Sequence, residues 1–440
     1  MKLFLFLIIL YLLQSCSFDD KSGIWKNDSF ITEKKEDVKD GFNDLVISSD
    51  TFNQIILINN KKKFTLSTPK NTKIWQDIYF NKSNNSENFS FSELNQLNFI
   101  SKKITSHPIN NFILFKDNNL ILSDQKGNVI IFNTINNKII KFNFYKKKFK
   151  KIKKYLNFHL ENNFLYISDN LGYLYNYDLI NKKVIWAKNY NVPFSGNLKI
   201  IENKLITSNL NNNLIFYNKY NGNILKSIPT EETIIKNQFK NNISLDYKNL
   251  YFLNTFGSLY SVNVERMTIN WFVNISNSSA LNPNNLFNGS IIINKDNRII
   301  VSSDNQTFMI DTNSGNIINK FNFSSQIKPT IVDKYLFIIT KNHYLVVIDY
   351  NSGEIIFSSD INQDLSDLLQ EKKRKILIGS LNILENKIYI FLKNSFYLKY
   401  DLNGRLLDVN KLPTKINSEL IFVNNSILFV NNRNKLVIVN

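Results

Sequence analysis

The chain repeats one arrangement of apolar and polar positions eight times. Each copy opens with a five-residue apolar strand, continues through about nine residues of turn and second strand, and ends on an Asp or Asn. The opening strands occupy residues 119–123, 164–168, 204–208, 249–253, 298–302, 335–339, 387–391 and 426–430. The closing positions, which recur every 38 to 52 residues, are Asn133, Asp178, Asn218, Asn263, Asp311, Asp349, Asp401 and Asn440. A period of this length with several short strands per unit is typical of β-propeller blades.

The repeat predicts an all-β fold, an eight-bladed β-propeller whose blades are four-stranded antiparallel sheets. In the second copy the four strands are predicted at residues 155–160, 164–168, 173–177 and 184–188. The Asp or Asn that closes each copy follows a strand, so we interpret it as a turn former that hydrogen-bonds its own backbone. One short helix is predicted at residues 364–375, in the longest gap between copies.

The last copy stops at Asn440, before its fourth strand. A closed ring cannot leave that position empty, because the neighbouring strand would lose its hydrogen-bonding partner. We therefore predict that an amino-terminal strand closes the eighth blade, with residues 71–75 as the donor. In that arrangement Trp75 takes the place that Trp186 and Trp271 hold in their copies.

The amino terminus resembles an export signal followed by a lipid attachment site. Lys2 precedes an apolar run at residues 3–13, which is too short to span a bilayer. The run ends in Leu-Gln-Ser-Cys, which looks like the lipobox of bacterial lipoproteins, where the cysteine carries a diacylglycerol. The resemblance implies a signal peptide at residues 1–15, a lipidated Cys16 with a flexible tether at residues 16–50, and a propeller at residues 51–440. The alternative is an ordinary signal peptide followed by an incidental cysteine.

The chain is strongly basic, with a formal net charge of +18. Such a charge is common in nucleic-acid-binding proteins. However, the chain is rich in Asn, Ile, Lys, Phe and Tyr, a bias that AT-rich coding produces without selection for binding, so no nucleic-acid partner is predicted. One run is locally extreme, and it contains Lys146, Lys147, Lys148, Lys150, Lys151, Lys153 and Lys154. Two interpretations stay open: a solvated loop, or a basic patch for acidic lipid headgroups or an acidic partner surface.

The sequence lacks the residue patterns of common enzyme classes. His107, His159 and His343 fall in different copies, and none has a cysteine or acidic neighbour at the spacing of a metal site. No nucleotide-binding loop, nucleophile elbow or zinc-protease motif occurs. Cys16 is the single cysteine, so no disulfide forms within the chain. No catalytic residue, metal ligand or cofactor is predicted, and the 35 Phe and 20 Tyr are expected to pack between blades.

Residues 170–178 (NLGYLYNYD), followed by Trp186, resemble the repeat of PQQ-type propellers, and the stretch at 256–260 with Trp271 is similar to it. With the lipobox and the tether, this pattern resembles the BamB family of outer-membrane assembly lipoproteins. The resemblance implies a non-enzymatic scaffold without a cofactor, lipid-anchored on the periplasmic face of the outer membrane. The implied partners are a BamA-like protein, bound through its POTRA domains, and nascent outer-membrane proteins.

In the BamB family, a loop with a hydrophobic–Arg–Gly run contacts the POTRA domains. The matching residues here are Val192, Pro193, Phe194, Ser195 and Gly196. Phe194 keeps the apolar anchor, whereas Ser195 replaces the Arg, and the acidic loop expected in the next blade is a basic stretch at residues 236–240. The repeat also fits quinoprotein dehydrogenases, which bind PQQ and calcium at the propeller centre. A periplasmic propeller that binds PQQ or another ligand, or one that binds sugars, is therefore the alternative function.

Overall fold

The strands form repeated antiparallel sheets, preceded by one small hairpin. The structure is a computed structural model that describes residues 16–18, 25–27, 52–58, 64–231, 242–276, 289, 291–303, 305–325, 327–369 and 376–440. The backbone contacts separate the chain into two units, residues 1–50 and residues 51–440. In the first unit, Cys16–Phe18 pairs antiparallel with Trp25–Asn27. The second unit contains all the other sheets.

The second unit confirms the predicted eight-bladed β-propeller. We number its sheets as blades 1 to 8 and count strands from the centre, where the first strands of neighbouring blades contact one another. Blade 1 contains Ile109–Lys116, Asn119–Asp124, Val129–Asn133 and Ile139–Phe142, and blade 2 contains Leu156–Glu161, Phe164–Asp169, Tyr173–Asp178 and Lys183–Asn189. Blade 3 contains Lys199–Ile201, Lys204–Ser208, Leu214–Asn218 and Ile224–Ile228, and blade 4 contains Asn242–Leu245, Asn249–Leu253, Ser258–Asn263 and Thr268–Asn274. The strands of blade 2 match the prediction to within one residue at each end.

The remaining four blades have the same four strands, and blade 7 has in addition the short strand Asn88–Phe89, which pairs in parallel with its first strand. Blade 5 contains Ile293–Lys295, Arg298–Ser302, Thr307–Asp311 and Ile317–Phe321, and blade 6 contains Thr330–Val332, Tyr335–Ile339, Tyr344–Asp349 and Ile355–Asp360. In blade 7 the four strands are Ile378–Leu384, Lys387–Leu392, Phe396–Tyr400 and Leu406–Lys411, and in blade 8 they are Ile421–Val423, Ser426–Val430, Leu436–Val439 and Leu97–Ile100. Second strands such as Phe164–Asp169 are buried along nearly their whole length, because adjacent blades cover both faces. Fourth strands such as Lys183–Asn189 alternate between exposed and half-buried positions.

In blades 1 to 7, the Asp or Asn at the end of the third strand shapes the turn that follows. Asp178 accepts the backbone N–H groups of Ile180 and Asn181 at 2.9 and 3.0 Å, and Asp311 and Asp349 accept equivalent bonds. Hydrogen bonds from the side chain and backbone of Asn181 lower the pKa of Asp178. The interpretation of these residues as turn formers is confirmed.

An amino-terminal strand closes the ring, as predicted, but the predicted donor at residues 71–75 is wrong. Leu97–Ile100 pairs with Leu436–Val439 and provides the fourth strand of blade 8. The pairing has a register shift next to Val439, at the position where blades 2 to 7 have the same irregularity. The distant segment therefore reproduces the geometry of a covalently continuous fourth strand. Trp75 instead pairs with Phe115 on the first strand of blade 1.

Residues 52–58 cover the outer edge of blade 6. Ile56 and Ser358 exchange two backbone hydrogen bonds, of 3.2 and 2.9 Å, so this segment continues the sheet beyond its fourth strand. Phe52 packs edge-on against Phe323, with ring centroids 5.0 Å apart. The segment protects a sheet edge that would otherwise expose unpaired backbone groups.

One helix connects blades 6 and 7, and it begins three residues before the predicted position. It spans Ile361–Leu369, and the predicted residues 370–375 lie outside the described part of the chain. Asp360 accepts the N–H groups of Asn362 and Gln363 and so satisfies donors at the helix start. The Tyr400 hydroxyl donates to Asp364 at 3.1 Å, which attaches the helix to blade 7.

Candidate functional site

The ring has two different ends, because the strands of each blade alternate in direction. The turns after first and third strands lie at one end, which we call the hairpin end. The turns after second strands and the connections between blades lie at the opposite end, which we call the connection end. The two predicted surface features, residues 146–154 and residues 192–196, both belong to connections between blades and therefore lie at the connection end.

Residues 70–92, which we call the channel segment, make one complete circuit of the inner edge of the ring. The segment contacts the blades in the order 8, 1, 2, 3, 4, 5, 6, 7 and 8 through the pairs Thr72–Asn424, Trp75–Phe115, Gln76–Leu160, Asp77–Lys199, Lys82–Leu245, Ser83–Asn294, Asn85–Ile331, Phe89–Leu384 and Ser92–Asn425. Most contacts fall at the carboxyl ends of first strands or in the turns after them. The channel segment therefore lies across the hairpin end of the channel.

A buried charge cluster fastens the channel segment to blades 2 and 3. The Lys199 amine lies 2.7 Å from the Asp77 carboxylate, and Nδ1 of His159 lies 3.2 Å from the same carboxylate oxygen. Burial alone would raise the pKa of Asp77, but Lys199 and His159 outweigh it and hold this pKa below its ordinary value. Lys199 also donates to the carbonyl oxygen of Asn81 at 2.9 Å. The Asp77 carboxylate and the Lys199 amine are both removed from water, so each charge needs the other for its stabilisation.

Two asparagine amides of the channel segment replace hydrogen bonds that the first strands cannot make to one another. Nδ2 of Asn84 donates to the carbonyl oxygens of Ile243 and Ile292 at 3.0 and 2.9 Å. Asn85 exchanges two hydrogen bonds with the backbone of Ile331, at 2.8 and 2.9 Å. These amides bridge blades 4, 5 and 6, which explains why this part of the chain is rich in Asn.

A cavity of about 250 Å³ lies in the channel against the channel segment. Apolar residues form most of its wall, including Trp75, Phe112 and Leu381, and its polar groups include Lys328 and Glu419. The Lys328 amine donates to the carbonyl oxygen of Asn84 at 2.9 Å and to the Ser86 hydroxyl at 2.7 Å. The protein around it excludes bulk water and lowers the pKa of Lys328 to about 7. The cavity thus contains a lysine whose charge is unstable near neutral pH.

The channel does not match the ligand set that the quinoprotein alternative requires for calcium. Calcium takes six to eight oxygen ligands, several of them carboxylates. Among the residues that the structure describes, no three His, Cys, Asp or Glu side chains are placed to hold a metal ion. Of the cavity lining, Glu419 is the one carboxylate within this described set.

The predicted partner loop, residues 192–196, connects blades 2 and 3, but its aromatic residue does not face solvent. Phe194 is 5% exposed and packs against Tyr166, Leu198 and Tyr217. The space between two blades takes up its ring, so the Phe194 side chain is not open to a partner here, and partner binding by the loop stays a prediction. Val192, Pro193 and Ser195 are half-buried and Gly196 is buried. A partner can reach the outer atoms of this loop without contacting the Phe194 ring.

The predicted basic run is also ordered, and one of its lysines is internal. Lys146, Lys147, Lys148, Lys150, Lys151 and Lys153 are exposed, whereas Lys154 is buried. The Lys154 amine donates to the carbonyl oxygen of Phe149 at 2.5 Å and lies 5.2 Å from the centre of the Tyr145 ring. Including Lys154 in a surface patch is therefore wrong, and the patch has six lysines.

Two other predicted features are Cys16 and the basic stretch at residues 236–240. The structure gives Cys16 a backbone position in the first unit, and lipid attachment stays a prediction. Residues 236–240 lie outside the described residues. None of the helices in the described part of the chain combines the length and apolarity needed to cross a bilayer.

The fold is similar to several solved propellers. BamB from Moraxella catarrhalis superposes with a TM-score of 0.61 at 11% identity, covering 78% of this chain and 99% of that chain. The quinohemoprotein alcohol dehydrogenase from Comamonas testosteroni gives 0.62 at 9% identity, covering 84% and 81%. A europium-containing methanol dehydrogenase gives 0.59 at 8% identity, covering 83% and 89%. The chain therefore has the fold of an eight-bladed β-propeller. No protein-family model and no curated protein matches the sequence, so these likenesses concern the fold alone.

Proposed function

We propose that this protein is a non-enzymatic scaffold of the machinery that inserts β-barrel proteins into the outer membrane. In this proposal Cys16 carries the lipid anchor and holds the propeller at the periplasmic face of the outer membrane. The connection end of the ring docks on the POTRA domains of a BamA-like protein. Nascent outer-membrane proteins are the second class of partner, and nucleic acid is not a partner.

The proposal rests on the share of each similar protein's chain that the structural match covers. The match covers 99% of the BamB chain but 81% and 89% of the two dehydrogenases, so parts of both enzymes have no counterpart in the match. The match thus includes nearly the whole BamB chain, while it covers 78% of this chain against 84% and 83% for the two enzymes.

The hydrogen bonds that hold the predicted partner loop support a docking role. The loop at residues 192–196 is held by backbone bonds from Phe194 to Asp169 at 3.1 Å and from Ser195 to Ser208 at 3.0 Å. The Asn157 side chain donates to the carbonyl oxygen of Gly196 at 3.1 Å. A loop fixed to both of its blades loses little conformational entropy on binding, which favours affinity for a flexible chain of small domains.

The proposal is tested by affinity purification of the tagged protein from gently solubilised membranes, with co-purifying proteins identified by mass. We expect a POTRA-containing barrel protein in the eluate. Ser195→Glu should reduce its recovery, because the side chain is half-buried at the loop surface and Phe194 stays in place. Lys182→Glu is the matched control, since Lys182 is exposed in a turn at the hairpin end and should leave recovery unchanged.

Two outcomes would count against the scaffold role. The first is an eluate without any POTRA-containing protein while the propeller itself is intact. The second is an unchanged level of outer-membrane porins after the gene is deleted. A scaffold that orients the inserting subunit should lower those levels when it is lost.

A ligand-binding propeller is the second candidate, and the channel cavity favours it. The Lys328 amine lines this cavity, and its charged form would be stabilised further if a small carboxylate entered beside it. PQQ is the probe to use, with and without calcium, and its binding is read as an increase in Tm. A rise in Tm that Lys328→Met abolishes would favour this candidate over the scaffold.

A further inference from the structure

Among the described residues, the connection between blades 1 and 2 has the most lysines of any connection between blades. We call residues 146–155 the basic loop. It contains six exposed lysines and no acidic residue, and the exposed Lys126 lies beside it, with its amine 3.5 Å from the carbonyl oxygen of Lys150. Among the described residues, none of the six amines lies within 4.0 Å of a carboxylate. Their charges therefore act outward on whatever approaches the ring.

Both adjoining blades fix the backbone of the basic loop. Lys147–Phe149 forms one turn of 3-10 helix. The Lys154 N–H donates to the carbonyl oxygen of Gln125 in blade 1 at 3.0 Å, and the Tyr155 N–H donates to the Asn170 side chain in blade 2 at 2.9 Å. The buried Lys154 amine closes the loop onto the carbonyl oxygen of Phe149. The six exposed lysines therefore project from an ordered base rather than from a loose chain.

The acidic residues nearest to the basic loop are turned inward and already bonded. Asp124 is buried and accepts hydrogen bonds from Thr105 and Asn128 at 2.8 Å. Asp169 is buried and accepts the N–H groups of Leu171 and Tyr173, also at 2.8 Å. These carboxylates stabilise the turns beneath the loop and leave the lysines outside without a neutralising neighbour.

Two large apolar side chains are exposed within the same loop. Ile152 is 45% exposed and Tyr155 is 51% exposed, and both lie among the lysines. Long lysine stems around an aliphatic and a tyrosine side chain form the combination that settles at a membrane interface, where charges meet headgroups and apolar groups enter the boundary region. An acidic protein surface would match the lysines but would leave the two apolar groups without a partner.

We propose that the basic loop binds the anionic headgroups of phospholipids and forms a membrane contact separate from the amino-terminal lipid. The lysines supply attraction that falls steeply with salt, because screening shortens the reach of surface charges to about 10 Å at 0.1 M ionic strength. Ile152 and Tyr155 enter the interface beside the headgroups. Such a contact sets the tilt of the ring relative to the bilayer and thereby selects which residues of the connection end remain open to a protein partner.

The experiment uses residues 51–440, the unit that contains the complete propeller with its closing strand. Binding to phosphatidylcholine vesicles with and without phosphatidylglycerol is measured by co-sedimentation at low and at physiological ionic strength. We expect binding that requires phosphatidylglycerol and weakens with salt. Replacing Lys146, Lys147, Lys150 and Lys151 with Gln should lower the binding constant by tenfold or more, since each lysine near an anionic surface contributes roughly a fivefold factor.

The matched control replaces four exposed lysines at the hairpin end, namely Lys138, Lys182, Lys248 and Lys334, with Gln. It removes the same net charge and should change vesicle binding by less than about twofold. Equal Tm values for the two variants show that both are folded. Ile152→Ser, with every lysine kept, should also weaken binding to the anionic vesicles.

Three results would overturn the proposal. One is wild-type protein that does not bind phosphatidylglycerol vesicles at low ionic strength. Another is an equal loss of binding in both quadruple variants, which would mean that total charge matters and the loop does not. The last is normal vesicle binding by the loop variant together with failed recovery of a POTRA-containing protein, which would assign the loop to a protein partner. Loss of POTRA docking by Ser195→Glu alone leaves this proposal untouched.

Discussion

The Trp186 indole of blade 2 lies directly against Gly222 of blade 3. A Cβ atom at Gly222 would lie 2.7 Å from this ring, and the indole N–H donates to the carbonyl oxygen of Lys219 at 3.0 Å. The same pairing recurs around the ring in Trp271–Gly315, Asn319–Gly353 and Phe357–Gly404. The fourth strands of blades 2, 4, 5 and 6 thus contact the turn after the third strand of the next blade. These contacts explain why the repeat combines a glycine in one blade with a large side chain in the blade before it.

Gly222→Ala should lower the free energy of unfolding by about 2–4 kcal/mol. The new methyl group collides with the Trp186 ring, and φ is +73° at this position, where L-residues are strained. Urea unfolding measures the loss. Adding Trp186→Ala should recover part of it, because the collision disappears, whereas Tyr220→Ala in the same exposed turn should cost less than about 0.5 kcal/mol. Strictly additive losses would contradict this contact.

A disulfide between positions 99 and 438 should form and stabilise the ring. Phe99 lies directly opposite Ile438 in the closing pair, which places the two Cα atoms within disulfide range. In a Cys16→Ser background, Phe99→Cys with Ile438→Cys should oxidise readily and raise the unfolding free energy by about 2–4 kcal/mol. Ile74→Cys with Ile438→Cys should remain reduced, since Ile74 lies beside the first strands, roughly 10 Å from the third strand. Gel mobility with and without reductant distinguishes the two pairs.

Asp77→Asn should lower the free energy of unfolding by about 3–5 kcal/mol, because it leaves Lys199 charged and buried without its partner. Combining it with Lys199→Met should cost less than Asp77→Asn alone. The pH dependence has a defined sign. Since folding lowers the pKa of Asp77, its stabilisation is fully present above the unfolded value of 3.8 and is lost as pH falls through the lower folded pKa. Acid unfolding of the wild type and the double variant tests this, and identical acid curves would contradict it.

Lys328 should make the protein more stable as pH rises from 7 towards 10. Folding lowers its pKa to about 7 from 10.5, so in this range the unfolded chain binds more protons than the folded one. The slope attributable to this residue is at most about 1.4 kcal/mol per pH unit. Lys328→Met should flatten the slope and raise stability at pH 7. A slope that is the same in both proteins would mean that the amine is not desolvated.

Phe194→Ala should act on stability rather than directly on a docking surface. The ring is buried between blades 2 and 3, so its removal should cost about 3–4 kcal/mol. Tyr247→Ala, at a position that is 98% exposed, should change stability by less than about 0.5 kcal/mol. Thermal unfolding measures both. A stable Phe194→Ala protein would mean that the loop opens and that the ring can reach a partner after all.

The repeat made the blades predictable because every copy satisfies the same local requirements. Second strands read as continuous apolar runs since neighbouring blades cover both faces, and Asp178 and its equivalents mark turns through their own hydrogen bonds. The burial of Phe194, in contrast, could not be predicted from the local sequence. Its sequence neighbours indicate a loop, while its burial depends on Tyr217 of the following blade, and no local pattern reports that contact.

The channel segment could not be inferred from local patterns either. Its residues pair with nine positions dispersed between residues 115 and 425, and only the closed ring brings those positions together. The one available signal was the density of Asn between residues 81 and 88, which gains meaning once Asn84 and Asn85 are seen to satisfy neighbouring strands. Choosing residues 71–75 as the closing strand failed because Trp75 matched the repeat in residue type but not in position.

The pairing of Leu97–Ile100 with Leu436–Val439 also constrains how the protein is made. Synthesis proceeds from the amino terminus, so the closing strand leaves the ribosome before the first blade exists. Its partner belongs to blade 8 and is made after the other seven blades. Until then Leu97–Ile100 has no strand to pair with, and blade 8 lacks a complete sheet. The long sequence separation between the two strands also slows their encounter. The ring therefore closes only after the third strand of blade 8 has been made, and a product that stops before this strand has no closed state to reach.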